Sequence, residues 1–65
     1  MLSIDNKQIM IEQYQKILLL TNTKIIIKMK AYTLTINGEQ LQSIALDKDD
    51  LLMEGKVLEL QFVYE

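Results

Sequence analysis

The chain reads as an all-β protein: a small curled antiparallel sheet or open barrel of six to seven short strands joined by hairpins. Three observations predict it. Apolar residues recur at every second position in "KIIIKMK" (24–30) and in "VLELQFVYE" (57–65), the spacing at which successive strand side chains face opposite sides. The only two glycines sit in a phrase written twice: Leu34-x-Ile36-x-Gly38-x-x-Leu41 returns 17 residues later as Leu51-x-Met53-x-Gly55-x-x-Leu58. Proline and low-complexity tracts are absent, so the chain is read as one domain over 1–65 with no linker.

The elements follow in order. Residues 1–8 are expected to be a loose polar start. In "QIMIEQY" (8–14), Ile9 and Ile11 alternate against Met10, Glu12 and Tyr14, which predicts a strand beginning near Ile9. "KILLL" (16–20) and "KIIIKMK" are predicted to pair through the loop Thr21-Asn22-Thr23, with Leu19 opposite Ile25 and Ile17 opposite Ile27. The second of these strands puts Ile25, Ile27 and Met29 on one face and Lys24, Lys28 and Lys30 on the other, Ile26 being the exception.

Asn37-Gly38 is the strongest short hairpin signal in the chain, because a type I′ turn needs positive φ at both central residues. A turn there sets Leu34 opposite Leu41; the same construction at Glu54-Gly55 sets Leu51 opposite Leu58, with the Lys56 stem beside Met53. Between them the apolar parity slips from Leu41 to Ile44 and Leu46, which a β-bulge near Gln42 and Ser43 explains. "DKDD" (47–50) makes a polar turn. In the last strand Leu58, Leu60, Phe62 and Tyr64 alternate against Glu59 and Gln61, and a central or well-covered position is expected. The core is predicted at Ile25, Ile27, Leu34, Ile36, Leu41, Leu51, Leu58, Leu60 and Phe62. Two competing readings are weaker. Two rungs of a solenoid fall short of the three needed for stability, and a helix through "DDLLMEGKVLEL" is opposed by Gly55 and by the alternation that follows it.

Sixty-five residues bury little surface, so stability is thin and help is expected. Cysteine and histidine are both absent, which removes disulfides and weakens the case for a metal; association is left, and the chain is expected to be a homo-oligomer, in the first instance a dimer. A net charge of -2 with no arginine argues against general nucleic-acid binding. No apolar run is long enough to span a bilayer and no secretory signal is visible, so an intracellular location is the expectation.

Catalysis needs a nucleophile with a base, a metal, or two carboxylates around a cleft. Ser3, Ser43 and the threonines have no histidine to activate them. Asp47, Asp49, Asp50 and Glu54 are the densest acidic cluster, but a calcium loop counted from Asp47 would place Leu52 where glycine belongs and Leu58 where glutamate belongs. A solvated turn is the better reading. Thus no catalytic, cofactor or metal residue is assigned, and no enzyme activity is expected. The structural turn positions are Asn22, Asn37, Gly38 and Gly55. Lys24, Lys28 and Lys30 form the one candidate face for an anionic partner, although lysine is also the usual guard of an exposed strand.

The order of phrases "IMIEQYQKILLLTNTKIIIKM", "LTINGEQLQSI" and "DDLLMEGKVLELQFVY" resembles the YabP/YqfC family of bacterial sporulation proteins, from Ile9 to Tyr64. Ile11-Glu12 matches the family's apolar-x-Glu opening and Thr21-Asn22-Thr23 its polar turn. Leu34, Ile36 and Gly38 match its L-x-I-x-G element, and Asp50, Leu51, Leu52, Glu54 and Gly55 its closing phrase. Ala31-Tyr32 stands where members commonly have a turn glycine, and the extension common ahead of the first strand is not seen here. The resemblance implies a non-catalytic role in endospore formation, cytoplasmic in the mother cell and peripheral to a membrane, beside a membrane-anchored sporulation protein as partner. Two other functions fit the residues: a small dimeric β adaptor of a different assembly, and a lysine-face module binding anions or lipid.

Overall fold

The computed structural model describes residues 2–5 and 7–64. They form six antiparallel strands in one open sheet: β1 (Leu2–Asp5), β2 (Gln8–Glu12), β3 (Lys16–Leu20), β4 (Lys24–Lys28), β5 (Tyr32–Leu46) and β6 (Asp50–Tyr64). Their spatial order is β1-β2-β6-β5-β4-β3. The helix considered over 49–60 is not formed; that stretch lies within β6 and its approach turn. The expected loose start is corrected: Leu2–Asp5 pair with β2 as an edge strand, Leu2 opposite Ile11 and Ile4 opposite Ile9. Positions 1 and 6 of that segment lie outside the described residues.

Two strands are far longer than expected. β5 and β6 run 15 residues each and pair with one another through a turn at 47–49. Laid straight at about 3.3 Å per residue, each would reach roughly 46–50 Å, whereas the longest dimension of the molecule is 28 Å. Both strands therefore bend, and they do so where their register slips: at Asn37/Gly38, between Glu39 and Gln42, and between Ser43 and Ala45. The last two slips bracket the bulge expected near Gln42 and Ser43.

Bending creates two leaves. In one, β3 pairs with β4 and β4 with residues 33–37 of β5, which pair in turn with 59–63 of β6. In the other, β1 pairs with β2 and β2 with residues 50–54 of β6, whose far side carries the second half of β5. Core side chains come from both: Ile25, Ile27, Met29, Leu34 and Ile36 from the first, Ile9, Ile11, Leu51 and Met53 from the second, with Leu41 at the bend. β2 and β4 are not neighbours in the sheet, yet their isoleucines share one fully buried cluster. The sheet is folded over on itself, its concave face closing on its own apolar rows.

The repeated phrase marks equivalent positions on these two leaves. Ile27 and Ile25 face Leu34 and Ile36 across β4 and β5; Ile11 and Ile9 face Leu51 and Met53 across β2 and β6. Gly38 donates its N–H to the Thr23 carbonyl at 2.9 Å, and Gly55 donates to the Lys7 carbonyl at 2.9 Å. The predicted hairpin turns at Asn37-Gly38 and Glu54-Gly55 are thus incorrect. Asn37 pairs with Glu59, Gly38 with Val57, and Gln42 with Glu54. Glycine is required there by close approach: a Cβ at Gly38 would run into the Lys56 carbonyl oxygen, and one at Gly55 would sit 2.8 Å from the Gln40 carbonyl oxygen and 2.9 Å from Leu41 Cα. Gly55 also has φ of 140°, where other residues are strained.

Three core assignments are corrected as well. Leu58, Leu60 and Phe62 are 58%, 38% and 41% exposed. Leu60 and Phe62 do lie on the concave side, opposite Ile36 and Leu34, but among the described residues β2 pairs with β6 no further than Glu54, which leaves that end of β6 only partly covered. The strand is central by order and only partly covered along its second half.

Candidate interaction surface

An open sheet has edges, and their chemistry differs. β1 is only four residues long and carries Ser3 and Asp5. β3 is interrupted by a register shift between Ile17 and Leu19, which leaves Leu18 unpaired with β4. The second half of β5 is broken between Ser43 and Ala45. The second half of β6 differs from all three. Past Gly55 the β2 pairing has ended, and from Glu59 to Tyr64 the strand pairs with β5 without irregularity. Among the described residues its other side pairs with no strand.

This edge is apolar on its concave face and mixed on its convex face. Leu60, Phe62 and Tyr64 line the concave face, and Val63, 54% exposed, lies on the convex face with Glu59 and Gln61. Tyr32 stacks the concave row into place, its ring centroid 5.3 Å from that of Phe62 in an edge-on contact and 5.3 Å from that of Tyr64. Glu59, the strand's charged residue in this stretch, accepts a hydrogen bond from Asn37 Nδ2 at 3.0 Å, so it is held toward β5 and away from the open side. Exposed, regular and lightly charged strand edges are templates for pairing with another strand. Sequence reasoning assigned Leu60 and Phe62 to the core; their alternation was visible, but only the fold shows what stops short of covering them.

The other singled-out residues fall elsewhere. Asn22 sits in the β3–β4 turn, where Thr21 Oγ1 accepts from Lys24 N–H at 2.9 Å and donates to the Lys24 carbonyl at 3.0 Å. The Asn22 carbonyl accepts from Leu41 N–H at 2.8 Å, tying the turn to the bend in β5. Leu19 pairs with Ile26 and Leu20 with Ile25, one residue off the predicted register, while Ile17 does face Ile27. Lys24 and Lys30 are exposed, Lys28 is half-buried, and Lys16 lies directly across from Lys28. The acidic cluster works on the backbone: Asp47 Oδ1 accepts from Lys48 N–H at 2.8 Å, and Asp50 Oδ1 accepts from Gln13 N–H at 3.2 Å, steadying Gln13 at φ 60°. Among the described residues no three carboxylates converge as a metal site would require. A shallow open depression at the bend, lined by Ile4, Lys7, Gln40, Gln42, Glu54 and Lys56 among others, has its one carboxylate engaged by the Gln42 amide at 3.0 Å.

Fold and surface together define a class: a small all-β protein built from one folded-over antiparallel sheet, with an open apolar strand at its rim. The chain belongs to the YabP family, whose profile matches residues 2–65. That membership suggests a sporulation-related protein. No curated protein and no solved structure gives a significant match. Among the described residues no helix is long and apolar enough to cross a membrane.

Proposed function

We propose that the protein is a non-catalytic sporulation module that acts in the mother cell by docking a protein partner onto the open half of β6. The supporting observation is the chemistry of that rim: a regular strand edge with Leu60, Phe62, Val63 and Tyr64 all well exposed and its one carboxylate turned inward to Asn37. Strand addition at such an edge supplies main-chain hydrogen bonds for affinity and side-chain rows for selectivity. A membrane-anchored sporulation protein is the partner the family relationship favours, which would hold this chain beside a membrane.

The test is complementation. Deleting the gene in an endospore-forming host should lower the yield of heat-resistant spores and leave vegetative growth unchanged. The native chain should restore that yield, and a Leu60→Lys variant, shown to be folded, should not. Full restoration by the variant would remove the rim from the function. A second reading, anion or lipid binding by the lysine face, draws on Lys24 standing exposed at the start of β4 and Lys30 exposed just beyond its end. It requires salt-dependent retention on anionic vesicles, abolished when Lys24 and Lys30 are changed to glutamine.

A further inference from the structure

We infer that the open half of β6 pairs with the same strand of a second copy, antiparallel about a two-fold axis at Gln61, making one continuous eight-stranded sheet from the β3–β4 leaves of two chains. This rests on the reading of that rim as the docking surface and names its first occupant.

The residues carry the argument. A two-fold pairing of identical antiparallel strands must set residues of the same face opposite one another, so concave rows meet concave rows. Centring on Gln61 uses the regular stretch most fully: Leu60 lies opposite Phe62 of the second copy, and Glu59 opposite Val63, each pair formed twice. Leu60 against Phe62 removes apolar surface of both from water, and it joins two exposed rows into one apolar stripe. The residue on the axis is an amide, donor and acceptor at once, and therefore complementary to itself. Charge is accommodated as well. The two Glu59 positions are offset by four residues, about 13 Å at 3.3 Å per residue, which exceeds the Debye length of about 8 Å at physiological ionic strength. No like charges stand opposite. Self-pairing also supplies the association that a 65-residue chain without cysteine lacks as internal support.

The absence of cysteine makes the test clean, because one introduced thiol reports one position. Directly opposed antiparallel residues have Cα atoms about 4.5–5.5 Å apart, within disulfide range. On mild oxidation Gln61→Cys should give a covalent dimer, and Glu59→Cys and Gln42→Cys should not. By sedimentation the unmodified chain should be a dimer at micromolar concentration. Val63→Glu, which sets a carboxylate against Glu59 at two symmetric places, should weaken that dimer about tenfold or more, and adding Glu59→Lys should restore it. A monomeric native chain, a cross-link through Gln42→Cys in place of Gln61→Cys, or a dimer indifferent to Val63→Glu would each overturn the inference. The functional reading has its own readout, since a monomeric native chain whose Leu60→Lys variant still fails in spores would retain the docking rim and lose only the self-pairing.

Discussion

At the scale of single residues, the two glycines do the same job for two reasons. Gly38 has no space for a side chain because the Lys56 carbonyl of the facing strand stands where its Cβ would be, and a backbone carbonyl cannot swing away as a side chain could. Gly55 faces Gln40 and Leu41 backbone atoms at 2.8 and 2.9 Å and also holds φ at 140°. Strained backbone costs about 1–3 kcal/mol and overpacking a similar amount. Gly55→Ala is therefore expected to lose about 2–4 kcal/mol in urea denaturation, and Gly38→Ala at least about 1–3 kcal/mol. A loss below about 0.5 kcal/mol at either site, the range of ordinary surface substitutions, would mean that the strands do not approach this closely at the bend. Asn37 behaves differently. Its amide reaches Glu59 at an exposed position, so Asn37→Ala should cost only a few tenths of a kcal/mol, as exposed polar pairs generally do.

At the scale of elements, the β3–β4 turn is a brace as well as a connection. Thr21 Oγ1 makes contacts with the N–H of Thr23 and Lys24 and with the Lys24 carbonyl, while the carbonyls of Asn22 and Thr23 hold Leu41 and Gly38 on β5. Thr21→Val should lower stability by about 0.5–1.5 kcal/mol, the usual worth of an intramolecular hydrogen bond, and Thr21→Ser should retain most of it. Equal stability in all three would show that the turn's geometry is set from outside. The same element explains what could be read in advance. Strands β2, β3 and β4 were legible because period-two alternation is local, and the bulge near Gln42 and Ser43 because the parity slip is local too. Asn37-Gly38 misled because it is a strong local turn signal overruled by partners far away in sequence, Thr23 and Val57. Leu60 and Phe62 were placed on the correct face, opposite Ile36 and Leu34, but alternation tells only which way a side chain points. Whether it is covered depends on where the second leaf ends, and no residue in β6 records that.

At the scale of the whole molecule, the decisive property is that both leaves share one core. Ile9 and Ile25 occupy equivalent places, one facing Met53 and the other Ile36, and both are fully buried in the same cluster. β5 and β6 run through both leaves, so neither half retains its concave cover without the other. A domain of this size has a total stability of only about 3–10 kcal/mol, which makes alanine too severe a probe and valine the suitable one. Ile9→Val and Ile25→Val are each expected to lose about 0.5–1.5 kcal/mol. Both should shift one common denaturation transition, seen alike by far-ultraviolet circular dichroism and, in a Tyr14→Phe background that silences the tyrosine following β2, by the fluorescence of Tyr32 and Tyr64, which lie in the leaf of Ile25. If Ile9→Val moved the circular dichroism curve and left the tyrosine signal in place, the leaves would be separate folding units. Cooperative behaviour is what the rim requires, because a strand offered for pairing is selective only while the sheet behind it holds its register.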